Sequence, residues 1–199
     1  MKNIIKIVIT GGPCAGKTKS IDFLKQHFEN QGRNVFIIPE TSTEIMRIGF
    51  KWWNKSVPVN VYQNLIFKYQ LEKENIVLDT IINSSIDNVV VLFDRGLLDG
   101  KAYMDYEDYN KMIKEYNLSY NDLYNRYDIV IYLQSVAIKY PELFSNENNE
   151  LRKSNLLQAI NFDNQVKNIW QYHKNFIEIE SCISYENKKN IILEKIKRL

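Results

Sequence analysis

Eight consecutive residues, Gly11-Gly12-Pro13-Cys14-Ala15-Gly16-Lys17-Thr18, put glycines, one ammonium and one hydroxyl at a spacing suited to gripping phosphate. They fit the P-loop pattern G-x-x-x-x-G-K-[ST] and follow the apolar run Ile4 to Ile9, the strand-to-helix setting that the pattern requires. Glycines let the chain curl so that successive N–H groups point at phosphate oxygens, and a helix starting there adds the positive end of its dipole. Lys17 is then expected to bridge the β- and γ-phosphates of ATP or GTP, and Thr18 to offer its hydroxyl to Mg²⁺. The competing reading is an ordinary glycine-rich turn with Lys17 solvated and Thr18 as a helix cap. Cys14 has the helix-terminal setting of a redox-sensitive thiol, but its small size suits filling the loop, and no chemistry is assigned to it.

Further along, Val89-Val90-Val91-Leu92-Phe93 ends in Asp94-Arg95-Gly96, an apolar strand delivering a carboxylate at the edge where open α/β sheets bind ligands. Asp94 is expected to hold Mg²⁺ directly or through water, and Arg95 to neutralise charge on a transferred phosphoryl group. A surface salt bridge in a turn is the alternative. Val35 to Ile38 likewise finish at Pro39-Glu40, so Glu40 should emerge on the same edge. Two carboxylates there can divide the labour, one serving the metal and the other taking a proton from a substrate hydroxyl or positioning a water. Glu40 reads equally as a favourable charge at the start of a helix beginning Thr41-Ser42-Thr43.

Lys139, Arg152 and Lys153 lie on a polar segment that can close over a triphosphate, with Arg152 the lid arginine, although a solvated helix face explains it as well. Seven tyrosines between Tyr103 and Tyr127, with Trp52-Trp53, offer rings on which a base could stack; core or subunit packing is the commoner use. His27 and His173 stand alone and read as structural, so no metal beyond Mg²⁺ is expected.

These groups need a scaffold. Five segments rich in Ile, Val and Leu, residues 4–10, 34–39, 88–93, 128–133 and 175–180, read as strands buried on both faces. The stretches between them are long enough for right-handed crossovers, which makes the class α/β with a five-stranded parallel sheet. Helices are expected from about 16–18 to Asn30, over 60–83, after a capping box at Ser119 and Asp122, over 149–172, and from Lys188 to Leu199. Residues 50–58 and 139–149 lack periodicity and are candidate lids, the second reaching to about 155.

A chain of 199 residues suits one domain spanning 1–199. A net charge of +2 is too small to mark a dedicated nucleic-acid binder. The two cysteines, Cys14 and Cys182, lack disulfide or zinc spacing, and no apolar run nears the ~20 residues of a membrane span. A soluble, cytoplasmic protein is therefore expected.

Taken together, Thr10 to Thr18, Ile38-Pro39-Glu40 and Asp94-Arg95-Gly96-Leu97-Leu98-Asp99-Gly100-Lys101-Ala102-Tyr103-Met104 resemble a specific family. This is the AAA-type P-loop domain shared by the bacterial ribosylnicotinamide kinase domain and the TRPL translocation-defect protein. Tyr127-Asp128, Asn149, Arg152, Asp163, Trp170 and His173 extend the likeness to about residue 173. The resemblance implies a P-loop NTPase fold, a kinase-like three-layer α/β/α sandwich. It also implies a base at Glu40 and an acid-arginine pair at Asp94 and Arg95, as in the similar deoxyribonucleoside kinases. Ser154 departs from the glutamate that the family usually carries two residues after the lid arginine. The function so implied is phosphoryl transfer from ATP to a small hydroxyl acceptor, a nucleoside or nucleoside-like molecule. The alternative is an ATP- or GTP-binding switch or hydrolase acting through a protein or lipid partner, with a homo-oligomer left open.

Overall fold

The computed structural model describes residues 2–51, 53, 57–144 and 155–197. Five strands, β1 (Ile4–Thr10), β2 (Asn34–Ile38), β3 (Val89–Asp94), β4 (Ile129–Leu133) and β5 (Phe176–Ile179), form a parallel sheet in the order β2-β3-β1-β4-β5. In β3 and β4 the apolar run is unbroken because both faces are covered, as parallel sheets require.

Alternation along β1 sorts the core into two layers. Ile7 and Ile9 face α1 (Lys17–Glu29) and α8 (Tyr185–Ile196), where Ile21, Leu24 and Ile192 complete the packing. Val8 faces the opposite layer, built by α3 (Val59–Asn83), α4 (Tyr106–Glu115), α5 (Tyr120–Asn125) and α7 (Leu156–Trp170), with Phe67, Tyr109, Tyr127 and Trp170 as its large side chains. Each such buried side chain contributes on the order of 2 kcal/mol. The result is the expected α/β architecture of a P-loop NTPase fold, a parallel sheet flanked by helices on both faces.

Register decides what the sheet edge presents. Ile9 pairs with Asp94 and Thr10 with Tyr132, so β1, β3 and β4 end at one level and their following loops start side by side. The chain leaves β1 for β2 beyond β3 and later returns to β4 on the other side. The loop after β1 thus sits at the reversal of strand order, the crevice where open α/β sheets take ligands.

The expected strands appear within two residues at each end, and the helices over 17–29 and 59–83 match their periodicity. The Ser119–Asp122 capping box is present: Ser119 Oγ accepts from the Asp122 N–H at 3.3 Å and Asp122 Oδ2 from the Ser119 N–H at 2.8 Å. From the expected helix over 149–172, α7 is described as Leu156–Trp170, behind a second capping box formed by Asn155 and Gln158, and residues 149–154 lie outside the described residues. The last helix starts at Tyr185, three residues before the expected Lys188, and Leu199 lies outside the described residues. Not anticipated were α4, α6 (Val136–Lys139) and a 3₁₀ segment over Leu97–Tyr103, whereas α2 (Thr41–Ile48) is the helix that one reading of Glu40 placed at Thr41. Among the described residues no helix is long and apolar enough to cross a membrane.

Candidate functional site

The glycine-rich loop is held by close approaches that exclude side chains. Gly11 has φ +139°, and a Cβ there would lie 2.0 Å from the Leu133 carbonyl oxygen; one on Gly12 would lie 2.7 Å from the Asp163 Cβ. Asp163, on α7 and fully buried, accepts from the Gly12 N–H at 2.7 Å, from the Ser135 N–H at 3.2 Å and from the Tyr132 hydroxyl at 2.5 Å. Burial pushes its carboxyl up despite those three donors. The Ser135 hydroxyl donates to the Pro13 carbonyl. The Lys17 ammonium donates to the Gly11 and Gly12 carbonyls at 3.0 and 2.9 Å. Burial and then Arg95 lower its pKa to about 8, against the pull of Glu40, Asp94 and Asp99.

The ends of β2 and β3 meet beside that loop. Arg95, in the left-handed region at φ +76°, donates from Nε to Glu40 Oε1 at 2.6 Å and from Nη1 to Asp99 Oδ2 at 3.1 Å and the Gly11 carbonyl at 3.2 Å. An arginine in that backbone conformation is strained, and the structure over-determines it. The Gln70 amide donates to the Arg95 carbonyl and to Glu74, a buried acid that also receives Arg126 and Tyr127. Asp99 is tied further by the Thr10 hydroxyl at 2.6 Å and the Trp170 indole N–H at 2.7 Å.

Glu40 precedes the first turn of α2 and accepts from the Thr43 hydroxyl at 2.6 Å as well as from Arg95, so it is both a charge at a helix start and a member of the cluster. Burial opposes its ionisation, but Arg95, Lys17 and the two side-chain hydrogen bonds outweigh it and bring the pKa down to about 2. Asp94 goes the other way. Burial and the Glu40 charge push it up to about 6, against Lys17 and Arg95, and among the described residues its buried Oδ1 has no hydrogen-bond partner. The two neighbouring acids are thus driven apart in pKa, so that Asp94 takes up a proton well before Glu40 as pH falls.

An orphaned, buried carboxylate oxygen is what a metal ligand looks like without its ion, so Asp94 fits the Mg²⁺ expectation. Thr18, the second residue of α1, is exposed. No group of three or more His, Cys, Asp or Glu among the described residues forms a cage by itself, so an ion here would share its coordination with phosphate and water.

Lys17, Glu40, Asp94 and Arg95 therefore converge, while Arg152 and Lys153 lie outside the described residues. Lys139 is paired with Glu180. His173 donates from Nε2 to the Tyr127 carbonyl at 3.0 Å and accepts the Asn175 N–H at Nδ1, a structural role; His27 meets Gln31 on the surface. Tyr109 and Tyr127 are core, whereas Tyr103 packs at a tilt against Phe162, ring centroids 4.7 Å apart, and lines a cleft of about 880 Å³ between the 3₁₀ segment and α7. The sequence had suggested no site role for Asp99, Ser135 or Lys188, although Asp99 stands in the stretch that carries the family resemblance, four residues after Arg95.

A family model described as an AAA domain matches residues 6–187. No curated protein matches the chain.

Proposed function

The chain belongs to the AAA domain family, and we propose that it is a Mg²⁺-dependent phosphotransferase. It would move the γ-phosphoryl group of ATP, or of GTP, to a hydroxyl of a small acceptor, a nucleoside or nucleoside-like molecule. P-loop domains of this kind generally bind nucleotide with Mg²⁺.

The observation that carries the reading is the split pair of acids on one sheet edge, Glu40 held ionised by Arg95 and Asp94 left with an open oxygen beside Lys17. Residues 11–18 would cradle the phosphates, with Lys17 leaving its two loop carbonyls for phosphate oxygens. Thr18 and Asp94 would hold the metal, which supplies charge neutralisation between phosphate oxygens when bound. Glu40 orients the acceptor hydroxyl for in-line attack: the oxygen bonds to the γ-phosphorus, the bond to the β-phosphate oxygen breaks, and the hydroxyl proton passes to Glu40 or to the product phosphate. A base with a pKa of about 2 takes a proton poorly before attack, so its main contribution is orientation, as a loose phosphoryl transition state allows. Arg95 sits on Glu40 and the loop at once and can follow the charge as it develops. Arg152 remains the lid arginine of this reading.

The alternative, a switch acting at a lipid surface through the basic C-terminal helix, draws less support. Lys188 is buried, Lys189 pairs with Glu186, and Lys195 donates to the Glu178 carbonyl. To decide, the protein with Mg-ATP is offered a panel of nucleosides while ADP and phosphorylated products are followed by mass spectrometry. Acceptor-dependent product is expected, with Glu40→Gln lowering kcat by about 10²-fold and leaving KM for ATP nearly unchanged. ADP formed at one rate with or without every acceptor would point to a hydrolase instead.

A further inference from the structure

Lys188, on α8, is 4% exposed, and nothing in the proposed transfer uses it. Its Nζ donates to the Ala15 carbonyl at 2.8 Å, and Asp163 and Cys182 are its electrostatic neighbours. An ammonium is costly to bury on a helix whose Ile192 joins the core, so its placement on the loop calls for a reason.

The geometry of the peptide unit supplies one. In a planar trans peptide the C=O of one residue and the N–H of the next point in opposite directions. Drawing the Ala15 carbonyl toward α8 therefore turns the Gly16 N–H to the loop's other side. The same logic applies where the Ser135 hydroxyl takes the Pro13 carbonyl, which turns the Cys14 N–H. On the Gly11–Gly12 peptide, Lys17 and Asp163 hold the two ends directly. Tyr185 reinforces the α8 contact by donating its hydroxyl to the Lys19 carbonyl in the first turn of α1. Alternate peptide planes of the loop are thus held from α7, from the end of β4 and from α8.

We infer that Lys188 is a positioning residue for the phosphate cradle, presenting the Gly16 N–H by pinning the Ala15 carbonyl from the C-terminal helix. This rests on the nucleotide-binding part of the function proposed above.

Two full-length variants separate positioning from simple charge. Lys188→Met removes donor and charge; Lys188→Gln keeps a neutral donor. Each is checked for a cooperative melt, then titrated with tripolyphosphate and with Mg-ATP, and hydrogen exchange at the Gly16 amide is read by NMR in the ligand-free protein. Lys188→Met is expected to raise both dissociation constants about tenfold and to speed Gly16 exchange to a similar degree, with Lys188→Gln recovering part of both. Dissociation constants within twofold of wild type in folded Lys188→Met would overturn the inference. So would weaker binding with Gly16 exchange unchanged, which would assign the effect to charge alone. Should Lys188→Met fail to fold, the same two readouts on Lys188→Gln decide, with a smaller expected change. A wild-type protein that binds neither ligand would sink the proposed function, while Gly16 exchange in the free variants would still judge the role of Lys188.

Discussion

At the scale of single residues, Glu40 and Asp94 are the same chemistry driven in opposite directions. Glu40 has its folded pKa brought below its unfolded value, so it contributes stability that is present above about 4.5 and lost as pH falls toward about 2. Asp94, raised to about 6, binds its proton more tightly folded than unfolded, so its ionisation costs stability as pH rises through that value. At pH 8 Glu40→Gln should destabilise the protein and Asp94→Asn should stabilise it, each on the order of 1–2 kcal/mol. Urea unfolding of the two variants checks this, and shifts of the same sign would contradict the assigned environments. Asp94→Asn should nonetheless weaken Mg-nucleotide binding. In the wild type, Mg-nucleotide affinity measured by calorimetry should strengthen as pH rises through about 6, where Asp94 ionises, and a profile flat between pH 5 and 7.5 would remove Asp94 from the metal's coordination.

At the scale of elements, α7 is tied to the loop and to β4 by one carboxylate. Asp163→Ala would leave the Gly12 N–H, the Ser135 N–H and the Tyr132 hydroxyl without their acceptor in a buried place. A loss of about 2–4 kcal/mol is expected in denaturant unfolding, with nucleotide binding weakened in the protein that remains folded. Ser119→Ala, at the capping box of α5, is the matched control: about 1 kcal/mol lost and nucleotide binding unchanged. The difference between these two sites is also a difference in legibility. The Ser119 box is local, two side chains three residues apart, and the strands announce themselves by unbroken Ile and Val runs, so both could be read from the chain. By contrast the 3₁₀ segment over Leu97–Tyr103 is short. The 3₁₀ segment follows Arg95, whose left-handed backbone is held by Gln70, 25 residues away. Asp99 joins the site through Thr10 and Trp170, and no spacing rule connects residues 89 and 71 positions apart.

At the scale of the whole molecule, the strand order does what no local pattern can. It sets the loop after β1 between the ends of β3 and β4, and so gathers groups from residues 10–18, 40, 94–99, 135, 163 and 188, drawn from both helical layers. The α/β class was visible in the alternation of apolar runs and helical stretches, but the order of the strands was not, because it depends on which crossovers pass beyond a neighbour. A ligand gripped by both layers should stabilise the fold as a unit rather than one lobe of it. At a Mg-nucleotide concentration one hundred times the dissociation constant, the gain should be about 2.7 kcal/mol, which for a chain of this size raises Tm by roughly 5–10 °C. The melt should stay a single transition whether followed by far-ultraviolet circular dichroism or by tryptophan fluorescence, since Trp170 is packed in the α7 layer. Lys17→Ala should melt near the ligand-free wild type and show almost no shift on adding nucleotide. An undiminished shift in that variant would mean that the nucleotide is held elsewhere than at the loop, and that this convergence of strand ends serves something other than phosphate.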